Sequence, residues 1–317
     1  MRTMTIGGIE VTRILLGAGS RGDPAREREV FAVMDRYYES GGSGFDTARI
    51  YAGGASDEAL GRWLRDRGAR DGAVVIAKGC HPDRASMHAS RLSAAEIEGD
   101  LNDSLKAIGT PYADFYLLHR DDPSLPVEAI LPAMDALVKA GKTRAIGCSN
   151  WTAGRIAEAN EFAAKNSLTP FAVCQTHFSL AATTAHRMGD PTQVPMSDVE
   201  FRWFEATRMP VMAFGTQARG YIAQVGRGGD HKPGNRKTYG YIEGNEGRAR
   251  RANALAERLG VDVGAVAAAY VLSHRLNAAA LIGFSSVAQL ERTLPAERLE
   301  LTGAQVRYLE TGEGSEG

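Results

Sequence analysis

Three apolar runs in the first half of the chain each end on a side chain that can carry or move charge. Gly44-Phe45 ends in Asp46, Val74-Val75-Ile76-Ala77 in Lys78, and Phe115-Tyr116-Leu117-Leu118 in His119; Tyr51 follows Asp46 by five residues. An acid, an amine, an imidazole and a phenol suit proton delivery to an oxygen that gains negative charge, as a carbonyl oxygen does when hydride reaches its carbon. A free phenol has a pKa of about 10, and a cation within a few ångströms lowers it by roughly 1–3 units. Lys78 is the candidate cation. A lysine ending a buried strand tends to shed its proton, and Asp46 is the candidate carboxylate that keeps it charged. His119 can hydrogen-bond the reacting oxygen and orient it. Singly, each residue has an ordinary reading: a solvated lysine, a core histidine, a loop tyrosine, an acid in a turn. Delivered together at strand C-termini they read as one site, because those ends share one face in a parallel αβ fold.

The elements that must hold these residues follow from hydrophobic periodicity and punctuation. Met1 to Arg13 reads as two short strands joined by a Gly7-Gly8 hairpin turn, and Ile14-Leu15-Leu16 as a buried strand. Helices are predicted from Pro24 to Ser40, from Ser56 through Leu64, from the capping box Ser93/Glu96 through Ile108, from Leu125-Pro126 to Val138, and from Thr152 to Ala164. Strands are predicted at Thr143 to Gly147, leading into Ser149-Asn150, and at Phe171 to Cys174, ending at Gln175. Further on come a helix near Val199 to Thr207, a strand Val211 to Phe214 and a long polar loop from Gly215 to Gly247. Helices at Arg248 to Leu259 and Asp262 to His274, a strand Ala278 to Ile282, a helix Val287 to Leu294 and a frayed polar tail complete the pattern. Eight βα units without a linker or low-complexity segment predict a (β/α)8 TIM barrel spanning residues 1–317 as one domain, with the N-terminal hairpin capping its bottom. A doubly wound sheet is the structural alternative.

The bulk composition narrows the function classes. Lys plus Arg (37) nearly balances Asp plus Glu (38), which gives no electrostatic pull toward nucleic acid or a membrane surface. The three cysteines, Cys80, Cys148 and Cys174, are far apart and lack metal spacing, so free thiols in a reducing, cytoplasmic setting are expected. The N-terminal residues include Arg2, Glu10 and Arg13 and no long apolar run, so no secretory leader is expected. His81, His88 and His119 share no ligand spacing on one element, and no metal site is expected.

Gly17-Ala18-Gly19-Ser20-Arg21-Gly22 has the G-x-G-x-x-G form after a strand, with Asp46 ending the next one. Those are parts of a dinucleotide-binding fingerprint. Against it, Asp23-Pro24 places the helix start after the third glycine. A glycine-rich strand-to-helix loop is the favoured reading, and a Rossmann-type dehydrogenase using Gly17 to Gly22 is the alternative.

Three longer segments resemble the aldo-keto reductase family. They are Gly44-Phe45-Asp46-Thr47-Ala48 with Tyr51 and Ser56-Asp57-Glu58-Ala59-Leu60-Gly61; Ser104 to Asp114 running into Leu117-Leu118-His119; and Ala140-Gly141-Lys142-Thr143-Arg144-Ala145-Ile146-Gly147-Cys148-Ser149-Asn150. The resemblance spans roughly the whole chain. It implies a barrel, an NAD(P)H cofactor lying across the strand C-termini, and a catalytic set of Asp46, Tyr51, Lys78 and His119. By the same resemblance Ser149, Asn150 and Gln175 hold the nicotinamide carboxamide, and Phe214 stands where an aromatic, usually tyrosine, stacks on the nicotinamide. Gly215, Gln217 and Arg219 belong to the loop crossing the pyrophosphate, and Ser285, Gln289 and Thr293 to the adenosine-phosphate segment. The chain departs from the family pattern at Phe214-Gly215-Thr216-Gln217, where Tyr-Ser-Pro-Leu is common. Thr293 stands where asparagine is usual, and Gly283, Ser285 and Gln289 carry no cation for a 2′-phosphate. NADPH is the expected cofactor, with NADH the alternative.

The expected function is reduction of an aldehyde or ketone to an alcohol, or the reverse, on a small molecule. Cys80, His81 and Trp151 directly follow strand ends and are expected to wall the substrate; His81 and the polar loops favour a hydroxylated substrate such as a sugar. A non-enzymatic, NADPH-binding regulatory module on the same scaffold is the other reading.

Overall fold

The computed structural model describes residues 1–18, 24–83, 85–226 and 232–314. Ten strands occur among them: β1 (Thr3–Ile6), β2 (Ile9–Thr12), β3 (Ile14–Gly17), β4 (Gly44–Asp46), β5 (Val74–Gly79), β6 (Ala113–Leu118), β7 (Thr143–Ser149), β8 (Cys174–His177), β9 (Val211–Phe214) and β10 (Ala278–Ile282). β3 to β10 pair in parallel, each with its neighbour in sequence, and β10 closes on β3. The outcome is a (β/α)8 barrel. The doubly wound alternative is excluded because a closed barrel has no edge and no point where strand order reverses. Of the glycine hexapeptide, Gly17 and Ala18 lie at the end of β3, while Gly19 to Gly22 lie outside the described residues.

β1 and β2 form the antiparallel hairpin, turned by Gly7 (φ +53°) and Gly8 (φ +79°). Positive φ at both central positions fits a turn whose twist matches its strands. Met4, Ile6, Ile9 and Val11 of the hairpin join Leu15, Val74, Ile76, Phe115, Leu117, Val173 and Met212 from inside the barrel in one apolar cluster. The hairpin therefore plugs the barrel at the end where the strands begin. A second, larger cluster lies outside the strands, where Phe45, Val75, Ala77, Tyr116 and Ile146 meet the apolar faces of the surrounding helices.

Helices follow the expected positions closely where a cap is written in the sequence. Ser93 and Glu96 form the capping box of Ala94–Ile108, and Thr152 caps Ala153–Lys165. Three expectations need correction. The ladder of β8 begins at Cys174 rather than Phe171, because the backbone groups of Phe171 are taken by the Asn160 side chain on the preceding helix. The polar stretch after Gly215 is not a loop: it holds the turns Ala218–Gly220, Tyr221–Gly226, Pro233–Asn235 and Arg236–Gly240. Tyr221, Ile222, Val225 and Tyr239 are its buried anchors, sparse enough in sequence to be hidden among polar residues. Through Thr311 the tail is helical rather than frayed, since Thr302 and Gln305 form a second capping box that starts Gly303–Thr311, and Leu309 is fully buried.

One buried acid ties the fold to the barrel mouth. Asp57, in the first turn of Ala55–Arg67, accepts from Thr47 Oγ1 (2.5 Å) just past β4 and from Ser104 Oγ (2.7 Å) on Ala94–Ile108. Burial raises its pKa, which the hydroxyls and nearby cations partly offset. Asp57→Ala strands two buried hydroxyls, so urea denaturation should show a loss of roughly 1–3 kcal/mol.

Candidate active site

Strand parity brings the polar side chains together. Side chains two apart on a strand share a face. On β5, Val74 and Ile76 point into the barrel, and Lys78 is next on that face. On β6 the same column runs Phe115, Leu117, His119; on β7 it runs Ala145, Gly147, Ser149. On β8 Val173 precedes Gln175 and His177, and on β9 Met212 precedes Phe214. Asp46 stands two residues after Gly44 on β4. Apolar filling in the lower barrel thus gives way to polar groups at the C-terminal mouth.

At the centre, Lys78 Nζ donates to both Asp46 oxygens at 2.5 Å, and neither side chain has appreciable exposure. Gln175 Nε2 donates to Asp46 Oδ1 at 2.7 Å. Thr47 N and Arg49 N continue along β5 by donating to Ile76 O and Lys78 O. That path turns Tyr51 back over the lysine, whose Nζ lies 5.1 Å from the phenol ring centroid. The Tyr51 and His119 rings meet edge-on with centroids 5.7 Å apart, and His81 meets His119 at 4.8 Å.

Electrostatics at this mouth are set by burial first. Burial acts to lower the Lys78 pKa, but the charge of Asp46, Tyr51 and the hydrogen bonds to both together outweigh it, and the net shift is upward. The charged form of Lys78 is thereby favoured. Tyr51 differs from expectation: burial raises its pKa, Lys78 pulls it down, and the net direction is upward. The phenol is therefore held protonated rather than made acidic. Burial, with the charges of Arg120 and Lys78, drives the His119 pKa well below the usual imidazole value, so its ring is neutral. Its Nδ1 is buried without a hydrogen-bond partner.

Tyr51, His81, His119, Ser149, Asn150, Gln175, Phe214 and Arg219 line one cavity of about 380 Å³. A larger cavity of about 750 Å³ lies beside Phe178, Tyr270, His274 and Glu310, and of the strand-end residues only His177 borders it. The smaller space is where the titratable groups converge, so the chemistry belongs there. Gln217 donates to Thr293 Oγ1 (3.0 Å) and Gly264 O (3.2 Å), joining two segments expected to act together. Ser285 donates to Gln289 Oε1 from both N and Oγ at 2.9 Å.

Two expected wall residues do not reach this cavity. Cys80 is buried, its N–H bonded to Asp100 and its sulfur 3.9 Å from Tyr116 Oη; burial pushes the thiol pKa up to about 12. Trp151 is buried against Phe171 at 5.2 Å with Arg155 over its ring. Ile50, Arg120, Gln193 and Leu281 line the cavity without having been singled out from sequence. Arg120 donates to His119 O (2.7 Å), Asp190 (2.8 Å) and Thr192 (2.9 Å), which holds the segment carrying Gln193 over the mouth. Its place next to His119 was the available signal. Gln193 sits on a long connection with no local pattern to mark it.

The sequence profile described as the Aldo/keto reductase family matches residues 13–312. A norsolorinic acid reductase of Emericella nidulans is 28% identical over 96% of this chain and 79% of its own length. An aryl-alcohol dehydrogenase of Pestalotiopsis microspora is 27% identical over 93% of this chain and 74% of its own. Among solved structures, a thermostable aldo-keto reductase in complex with the inhibitor epalrestat superposes with a TM-score of 0.76, covering 98% of this chain and 99% of that one at 21% identity. At that identity the structural likeness speaks to the fold.

Removing Asp46 leaves an uncompensated buried ammonium, so Asp46→Asn should lose on the order of 3–5 kcal/mol in urea unfolding. Adding Lys78→Met should recover part of that loss, giving a non-additive double-mutant cycle. The raised Lys78 pKa gives the sign of the pH effect. Stability from the pair is complete below the ordinary lysine value of about 10.4 and is lost as pH rises through the higher folded value.

Proposed function

The chain belongs to the aldo/keto reductase family, and from that premise we propose that it reduces an aldehyde or ketone to the alcohol, or runs the reverse, with NADPH as hydride carrier and NADH as the alternative. The observation that carries the reading is that Tyr51 and His119 line a single cavity while the buried Asp46–Lys78 pair lies directly behind Tyr51, with Lys78 Nζ 5.1 Å from its ring centroid. Tyr51 donates its proton to the carbonyl oxygen as negative charge develops there. Neutral His119 orients that oxygen without competing as an acid. Lys78 offsets the charge left on the phenolate, and Asp46 keeps Lys78 protonated.

The donor set fits a nicotinamide. Asp46 can only accept, so Gln175 turns Nε2 toward it and leaves Oε1 as an acceptor. Ser149 Oγ accepts from Asn150 Nδ2 at 2.9 Å and keeps its own proton to donate. One free acceptor beside one free hydroxyl matches the NH2 and C=O of a primary carboxamide. When bound, the cofactor supplies the hydride; Phe214 gives the ring an aromatic platform at the cavity wall. Gly215, Gln217 and Arg219 would follow the pyrophosphate, and Ser285, Gln289 and Thr293 the adenosine end. Arg292 pairs with Asp262 at 3.6 Å, so it is not a ready 2′-phosphate ligand; comparing NADPH and NADH affinities by fluorescence quenching decides the preference.

The substrate is proposed to be a small hydroxylated carbonyl, such as a sugar. His81 supports this: its ring stands on the cavity wall 4.8 Å from that of His119, where a polar side chain can meet a substrate hydroxyl. We place the protein in the cytoplasm as one domain, a setting supported by the three free, buried cysteines. No helix among the described residues is long and apolar enough to cross a membrane.

Tyr51→Phe should lower carbonyl reduction by about 10²–10⁴-fold while cofactor binding persists. An unchanged rate, or loss of binding, would remove Tyr51 as the proton donor. The raised Tyr51 pKa means the donor form is present through neutral pH and is lost as pH rises past the ordinary phenol value of about 10. A rate profile breaking instead near pH ~6.5 would assign the proton to an imidazole.

A further inference from the structure

Phe214 lines the candidate cavity, and the residues packed against its ring form a unit of their own. His177 ends β8 in register with Phe214 at the end of β9, and the two rings stand 84° apart with centroids at 5.5 Å. His177 is only 3% exposed. Gly215, at φ +72°, turns the chain across it: a Cβ there would lie 2.4 Å from the imidazole Cδ2. This is the position where the family commonly carries serine, so the glycine and the histidine ring occupy the space together. Tyr239 Oη lies 3.2 Å from His177 Nε2 and is itself buried. Burial raises the Tyr239 pKa to about 12, and burial followed by the charge of Arg219 lowers that of His177 to about 4. The phenol therefore donates and the neutral imidazole accepts. On the same segment, Asn235 Nδ2 donates to Arg219 O at 3.1 Å, so the stretch that carries Tyr239 also holds the backbone that follows Phe214.

We propose that Tyr239 and His177 are positioning residues that hold the Phe214 ring from behind and present its open face to a reduced nicotinamide. The proposal rests on the reading of Phe214 as the nicotinamide platform. An aromatic ring gains from stacking only when its orientation is fixed beforehand; otherwise the ligand must arrest it on binding. Tyr239→Phe removes the donor, frees the imidazole to turn, and loosens the platform without touching the ligand.

The test uses the full chain and three probes: NADPH, reduced nicotinamide mononucleotide, and ADP-ribose, which lacks the nicotinamide. Tyr239→Phe should weaken NADPH and the mononucleotide by about 3–10-fold and leave ADP-ribose unchanged. In a Phe214→Ala background the same substitution should have no further effect on NADPH. Equal weakening of ADP-ribose, or a full Tyr239 effect without Phe214, would overturn the brace, since a general loosening of the fold predicts both. If the unaltered protein binds ADP-ribose but gains nothing from the nicotinamide, the platform reading itself fails, and the brace with it.

Discussion

An ammonium group with no contact with solvent sits 2.5 Å from both oxygens of one carboxylate at the mouth of a closed barrel. Burying that charge is costly, and the cost is tolerated only when partner and hydrogen bonds are all in place. Much of the surrounding architecture serves this requirement. β4 and β5 are adjacent, with Asp46 in register with Ile76, so Lys78 stands two residues further along the neighbouring inward column, within reach of the acid. Gln175 arrives from across the barrel to complete the acid's shell. The chain beyond Asp46 remains bonded to β5, which keeps Tyr51 over the lysine. A site of this kind cannot be assembled piecemeal, because any one charged group left behind would destabilise the fold that holds it.

Burial sorts the remaining groups by what they can do. Tyr51 is pushed toward its protonated form and His119 toward its neutral form. In the proposed reaction this separates the proton donor from the orienting group. The lysine does not make the phenol acidic in the resting molecule; it limits how far burial raises it. In the proposed reaction its larger effect belongs to the moment when the proton has left and a phenolate needs a neighbour of opposite sign.

The barrel and the central site were legible because they rest on local signals. An apolar run of fixed parity ending in one polar residue reveals both a strand and the direction of its last side chain, as for Lys78 and His119. Capping boxes such as Ser93/Glu96 marked helix starts in the same way, although Thr302/Gln305 went unread in a tail that looked polar. Failures came where tertiary contacts overrule local pattern. Cys80 and Trp151 follow strand ends, yet each turns into packing, one toward Asp100 and the other toward Phe171. Gln193 reaches the cavity on a segment clamped by Arg120 to Asp190 and by Asn150 and Thr176 to Val194, relations between distant residues that no window on the sequence contains. The turns after Gly215 rest on a few widely spaced aromatic anchors for the same reason.

The inward columns also limit how such a chain can diverge. The side chains at the mouth are counted off, two residues at a time, along inward columns whose lower apolar members pack against the N-terminal hairpin. Deleting one residue within β5 would exchange Lys78 for a neighbour facing the helices. An equal deletion in a connection after a strand leaves every count intact. Freedom in length therefore lies in the connections between strands, and through those above the mouth the molecule can change what it admits while the reading frame of its inward columns stays fixed.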